Sequence, residues 1–465
     1  MDASPLLVAN LGELHFGACQ LGDTRRTDRL VDVANRIARR PDGSLPHQLH
    51  DPAAYRACCR LMNQTTVTHD AVLRPHCQAT RAALRRRTRP VLLVHDTTTL
   101  DYSGHEVTFL GPIGNGGGKG YECHNSLAVD PDSGALLGLV CQILHTRARP
   151  PQGESVAARR GRADRESRLW VRAVQAIGPA PSEGPLWVDV CDRGADTFEF
   201  LQYEATHGRS FVVRSTYNRA LASTGAEQPR LLHDLLRSQA ALATWTVEVA
   251  NNSKQQARTA TVQASWALVQ LKAPHVRRGA HSRQPLAVWA IRVWEVNAPA
   301  AVAEPLEWFL LTNVPIEDVT TARERVQWYE RRPRVEEFHK SQKTGLHIED
   351  LRFTTRGALE PMIALLSVLA VELVNLREAA RDPQRSTEAA SKYVQPLWVR
   401  VLSQWRYGEA RELTVTEFTL ALARLGGHLN RKCDGLPGWV TIWRGLNMLH
   451  AMIEYELSRA RCGKE

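Results

Sequence analysis

The chain has few lysines and no paired cysteine motifs, and it lacks any long uninterrupted apolar run. Its nine cysteines are odd in number, Cys58 and Cys59 are adjacent, and no CxxC pair occurs. These features exclude a disulfide framework and a zinc finger and fit a reducing, cytoplasmic setting. The segment Met1–Leu14 carries Asp2 and Glu13 and has no basic region ahead of an apolar core, so it does not read as a targeting signal. The longest apolar run, Met362–Val374, is broken by Ser367 and Glu372 and is too short for a bilayer, so no membrane partner is expected. No repeat of solenoid period is visible. The glycine-rich string GNGGGKG (Gly114–Gly120) lacks the first glycine and the final Ser/Thr of a phosphate-binding loop. It reads as a hairpin connection, with no nucleotide cofactor.

What is present is basic. Eight lysines stand against 51 arginines, and the 465 residues carry a net charge of +10. Arginine meets phosphate with a planar two-pronged fork, so a polyanionic partner is indicated. The excess is uneven: residues 1–90 hold fourteen Arg, no Lys and eight acids. The 43% hydrophobic content is that of a globular chain, and the length suits two to four domains.

The first ninety residues read as helical. Arg25–Arg40 places Leu30, Val33, Ala34 and Ile37 on one face, with Asp23 or Thr24 as cap, and helices are expected over Pro52–Met62 and His69–Arg86. At Pro90 the character changes. Val91–Val94 is a strand-length apolar run ending in His95-Asp96, and strands are expected at Val107–Leu110, Ser126–Val129, Leu136–Leu144, Leu186–Val190 and Phe211–Val213. Helices should cover Glu166–Ile177 and Ala195–Ala205. That order indicates an α/β layer fold. Residues 215–306 are rich in strand formers and read as a mostly β insertion, Leu306–Leu311 is a further strand, and the chain from Leu359 onward reads as helical. The expected domains are 1–70, helical; 71–358, α/β with the insertion; and 359–465, helical.

Two strand ends carry an aspartate, Asp96 after VLLVH and Asp192 after WVDVC. Carboxylates at the ends of buried strands stand where α/β sheets bind ligands, although each could instead cap a turn. Asp189 and Asp196 read as cap or surface acids. In YERRPRVEEFHKSQK, the spacing of Tyr329, Arg332, Glu336 and Lys343 gives one helical stripe, unless Pro333 starts or kinks the helix. The stripe could equally be a solvated face with Glu336 pairing Arg332 or Lys340. Three carboxylates from two strands and a later helix suggest a two-metal phosphodiester site, and Mg²⁺ suits hard oxygen ligands.

These residues resemble the IS-four family of bacterial insertion-sequence transposases. Tyr329, Arg332, Glu336 and Lys343 match its Y-R-E-K motif, while VHDTTTL and VCDRGADTFEFLQ match its two acidic blocks. LGDTRRTDRLVDVA, Ala54–Arg56 and Ala423–Gly427 match its flanks. The resemblance implies a DDE transposase with an RNase H-like core, a helical DNA-binding domain and a C-terminal dimerisation domain. Asp96, Asp192 and Glu336 would hold two Mg²⁺ ions, with Mn²⁺ as a substitute. Nicking, hairpin formation and opening, and strand transfer would follow on double-stranded transposon ends and target DNA, within a homodimer. Trp308 would hold a flipped base, and Arg214, Tyr329, Arg332 and Lys343 nearby phosphates. Arg26, Arg29, Arg39, Tyr55 and Arg56 would contact the transposon end. A catalytically inactive, repurposed DNA-binding derivative is the alternative.

Overall fold

The structure is a computed structural model. It describes residues 11–462 except 42, 106, 149–150, 152, 156–157, 159–160, 163, 223–228, 250–257, 276–280, 300–301, 303, 380–384 and 432–436. In chain order it contains α1 (Leu11–Phe16), α2 (Thr24–Arg39), α3 (Leu45–Leu49), α4 (Pro52–Met62), α5 (His69–Arg85), β1 (Val91–Asp101), β2 (Gly111–Ile113), β3 (Gly118–Val129) and β4 (Leu136–His145). Next come α6 (Leu169–Ile177), β5 (Trp187–Cys191), α7 (Phe198–Thr206), β6 (Ser210–Arg214), α8 (Leu232–Ser238), β7 (Ala243–Val249), β8 (Arg258–Leu271), β9 (Leu286–Glu295), β10 (Glu307–Thr312) and α9 (Val319–Glu330). The chain closes with α10 (Arg334–Lys340), α11 (Arg356–Ala379), α12 (Pro396–Tyr407), α13 (Val415–Leu425) and α14 (Trp439–Cys462). Two compact units result, one of Met1–Arg85, Thr98–Ala148 and Arg334–Glu465, the other of Arg86–Thr97 and Arg149–Pro333.

In the first unit the N-terminal helices form as their patterns dictate. Asp23 accepts from the Arg25 amide at the start of α2, and Leu30, Val33, Ala34 and Ile37 are buried on one face. Pro52 opens α4 behind the cap Asp51, where its missing N–H costs nothing. α1 lies so close to α2 that a Cβ on Gly12 would sit 2.4 Å from the Val31 carbonyl oxygen. Helix α11 is long and apolar enough over Arg356–Asn375 to cross a membrane by length and composition, but 89% of that window is buried inside the protein, as a core helix would be. Its polar interruption is satisfied: the Ser367 hydroxyl donates to the Ile363 carbonyl and accepts from Gln142 and Gln342. Gly114 and Gly116, both at positive φ, turn the chain between β2 and β3, so the glycine-rich string is the hairpin expected of it. Val107–Leu110 is not a strand. Asp101 accepts from the amide and hydroxyl of Ser103 and bends the chain at the end of β1, and His105 and Val107 continue in turns.

The second unit is built on a mixed sheet in the order β1-β5-β6-β10-β9-β8-β7. β1, β5 and β6 run parallel and carry the fully buried runs Val91–Val94, Val188, Val190 and Phe211–Val213. β10 turns antiparallel to β6, and β9, β8 and β7 continue antiparallel from it. The mostly β insertion therefore widens this sheet, with α8 stacked on it: the His233 and Phe309 rings lie 4.0 Å apart.

Candidate functional site

The register of the second unit's sheet assembles the site. His95 pairs with Cys191, Cys191 with Val213, and Val213 with Leu311. One residue further along, Asp96, Asp192 and Arg214 continue the row, with Arg214 opposite Leu310. Strand side chains alternate, so these three share one face. Trp308, two residues before Leu310 on antiparallel β10, shares it too and stands beyond the carboxyl end of β6. Asp96 lies within β1 rather than at its end, because the β-branched Thr97-Thr98-Thr99 continues the strand.

The segment after β10 completes this face. Asp318 and Thr321 form a reciprocal cap that starts α9. α9 carries Tyr329, only 7% exposed, whose ring meets Trp308 edge-on at 5.8 Å. Burial pushes the Tyr329 phenol up, while Arg214 and Arg332 act in the opposite direction. The helix stops at Glu330. Pro333 stands in the turn between α9 and α10, so the expected single stripe is broken. From that turn Arg332 reaches both aspartates: its Nη2 lies 2.8 Å from Asp96 Oδ2 and 3.7 Å from Asp192 Oδ2. One nitrogen thus spans two carboxylates, and their oxygens are no further apart than those two distances together. Asp192 also accepts from the Gly194 amide at 2.8 Å, so it serves as a turn cap as well as facing Arg332.

Glu336 and Lys343 belong to the other unit. Glu336 is exposed in the first turn of α10, and Glu337 beside it pairs with Arg334 at 2.9 Å. Lys343 lies in a turn of π-helix, Ser341–Gly345, and pairs with Glu349 at 3.2 Å. Among the described residues no three His, Cys, Asp or Glu side chains converge closely enough to hold a metal ion. As a donor set, the adjacent Asp96 and Asp192 do suit Mg²⁺: both are hard carboxylate ligands, both already face a cation, and neither is deeply buried.

Behind this row, on the opposite face, is a network that the sequence reading missed. Asp189 is a fully buried strand residue, not a surface or capping acid. It accepts from His95 Nε2 at 2.7 Å and takes a two-pronged contact from Arg209, with Nε at 3.0 Å and Nη2 at 2.9 Å. Burial pushes the Asp189 carboxyl up, but the Arg209 charge and the His95 bond outweigh this and hold it at about 2. Glu204, also fully buried, lies 3.5 Å from Arg209, and burial together with the Asp189 charge pushes it well above the carboxylate range. Asp196 is likewise fully buried. It accepts from the Thr216 and Tyr217 amides and from Arg219, pinning the loop that leaves β6 just after Arg214. The visible signal for Asp189 is its place between Trp187 and Cys191 on one face of a strand whose other face carries Val188 and Val190, so both faces are apolar and covered.

The N-terminal candidates divide by their partners. Arg26 donates to Thr66 and the Leu21 carbonyl, and Arg29 pairs with Asp32 at 3.3 Å, so both are tied within the helices. Tyr55 is half-buried on α4, and burial pushes its phenol up. The Arg39 and Arg56 side chains are exposed and make no ion pair or hydrogen bond among the described residues. Arg60, one turn after Arg56 on α4, is exposed in the same way and was not singled out from sequence.

Residues 11–67, the segment holding α1–α4, match the family model described as transposase DNA-binding. The match supports DNA as the partner of this segment, and a transposase as the kind of protein that carries it.

Proposed function

We propose that the protein is a Mg²⁺-dependent cut-and-paste DNA transposase that binds transposon-end repeats through its N-terminal helices and works as a homodimer on the DNA. The observation that carries the catalytic part is the Asp96–Asp192 pair, side by side on one sheet face with Arg332, Arg214, Tyr329 and Trp308 around it. Asp96, Asp192 and Glu336, which follows Arg332 by four residues, would hold two Mg²⁺ ions. When bound, these supply Lewis-acid stabilisation at phosphorus and lower the pKa of water.

The chain's own groups do the rest. Arg214 and Arg332 are forked donors suited to phosphate oxygens at the cut, and Lys343 adds a point charge. Trp308 presents an aromatic face for an unstacked base. Such stacking is worth about 1–3 kcal/mol, which helps offset the few kcal/mol needed to flip a base. The proposed order is nicking, hairpin formation, hairpin opening and joining to target DNA.

The test is a plasmid carrying the inverted repeats that flank the gene, incubated with the protein and Mg²⁺. Hairpin ends and strand transfer are expected, and both should vanish in Asp96→Ala, Asp192→Ala and Glu336→Ala. Repeat binding with no cleavage by the wild-type protein would instead favour the non-catalytic derivative. Trp308→Ala should slow hairpin formation selectively, by roughly 5- to 150-fold if the stacking energy is lost. An equal loss in first-strand nicking would make Trp308 a packing residue.

Binding itself is expected to weaken steeply with salt. Arg39→Ala and Arg56→Ala should each reduce the slope of log K against log salt by about 1. Arg29→Ala, whose guanidinium is already committed to Asp32, should change it less; an equal change at all three positions would remove the distinction drawn from their partners.

A further inference from the structure

We propose that Arg332 is a built-in counter-cation for the aspartate pair, surrendered to a DNA phosphate, so that metal loading at this site depends on DNA. The inference rests on the reading of Asp96 and Asp192 as metal ligands and adds the regulation of that site.

The geometry is that of a place-holder. A single guanidinium nitrogen serves both carboxylates, at 2.8 and 3.7 Å. The side chains of Asp96 and Arg332 are only 13% and 16% exposed, so their attraction is screened far less than that of a surface pair. Without a cation between them, two adjacent carboxylates on neighbouring parallel strands would repel each other. Arg332 offsets that repulsion in the protein alone. It does so from the non-helical turn that follows α9, where its own amide donates to the Tyr329 carbonyl.

A guanidinium held against these carboxylate oxygens takes the place a divalent ion would occupy and repels its charge. A divalent ion entering this pair must displace the guanidinium or wait for it to leave. A DNA phosphate matches a guanidinium fork as a carboxylate does, and Arg214 on the same sheet face offers a second fork to the same anion. Docked DNA therefore draws Arg332 off the aspartates and exposes them. By linkage, DNA and metal must then favour each other's binding by the same factor. In the protein without DNA, the carboxylates keep Arg332 as their counter-cation and cleavage chemistry is withheld.

The experiment measures Mn²⁺ binding to the full chain by electron paramagnetic resonance of the free ion. It is done with and without a duplex carrying the flanking repeat, subtracting the ions held by the duplex alone. The wild type should bind weakly without DNA and about 5- to 150-fold more tightly with it, the usual span of such coupling. Arg332→Gln should bind tightly without DNA, with little further gain on adding it. Arg332→Lys keeps the charge but loses the fork and should lie between. Suppose Arg332→Gln binds no more tightly than wild type while Asp96→Asn abolishes binding: the gate is then overturned and the metal site stands. If neither Asp96→Asn nor Asp192→Asn weakens Mn²⁺ binding, the site reading and the gate fall together. Melting curves on each variant establish that it is folded.

Discussion

Asp96→Ala and Asp192→Ala should each lower strand cleavage by at least ~10³-fold while leaving the protein folded. The size follows from what the residues would do. Loss of one preorganised electrostatic contact to a phosphoryl or acyl transition state already costs on the order of 10²–10³ in rate, and a carboxylate that places the metal ion should cost no less. The fold is spared because neither side chain supports the core. Both face Arg332 rather than the apolar core, and the hydrogen bonds that hold β1 to β5 are backbone ladders ending at His95 and Cys191. Removing either aspartate also leaves Arg332 with the other, so no cation is stranded. The check is a nicking time course beside a thermal melt. A melting temperature that collapses together with the rate would mean that the pair is structural, and cleavage near the wild-type rate would mean that it is not catalytic.

Much of the N-terminal region was legible because its information is local. Asp23 before a 3.6-residue apolar period, and Asp51-Pro52 before another, fix both helix starts within one residue. The buried parallel strands were legible for a similar reason: VLLV, WVDVC and FVV are too short and too apolar to be anything else in this chain. The site was legible in its residue types and in the order of its strands. Its register was not, since nothing in Asp96 or Asp192 alone states that they fall in one row with Arg214. That row depends on pairings 96 residues apart in sequence along the parallel strands. The stripe from Tyr329 to Lys343 fails as a single helix at one residue, Pro333, which closes α9's register and lets Arg332 leave the helical face. The division of the chain is also a long-range result. Residues 1–85 and 334–465 form one unit because α5 and α11 pack side by side, and no local pattern in either segment encodes that pairing.

The buried acids are the sharpest case of tertiary context overriding a local reading, and they set the second large expectation. Arg209→Met should destabilise the fold by about 3–5 kcal/mol, the usual cost of leaving a buried charge without its partner. The stranded group is Asp189, fully buried and reduced to the single bond from His95. Glu204→Gln should behave in the opposite way. Three charged groups cannot all be ionised there at low cost, and Arg209 commits its fork to Asp189, so Asp189 carries the charge and Glu204 the proton.

The pH dependence follows from the two signs. Asp189, depressed from 3.8 to about 2, contributes stability that is full above pH 3.8 and is lost as the pH falls towards 2. Glu204, raised above its ordinary 4.5, is a group the folded state prefers protonated, so its contribution is lost as pH rises from 4.5 through the folded value. Glutamine mimics the protonated acid at every pH. Glu204→Gln should therefore match the wild type in denaturant melts near pH 4.5 and exceed it increasingly towards pH 8, while Arg209→Met is weakened throughout. A Glu204→Gln protein less stable than wild type at pH 8 would show that the charge assignment is reversed, with Glu204 ionised against Arg209 and Asp189 holding the proton behind the row of Asp96 and Asp192.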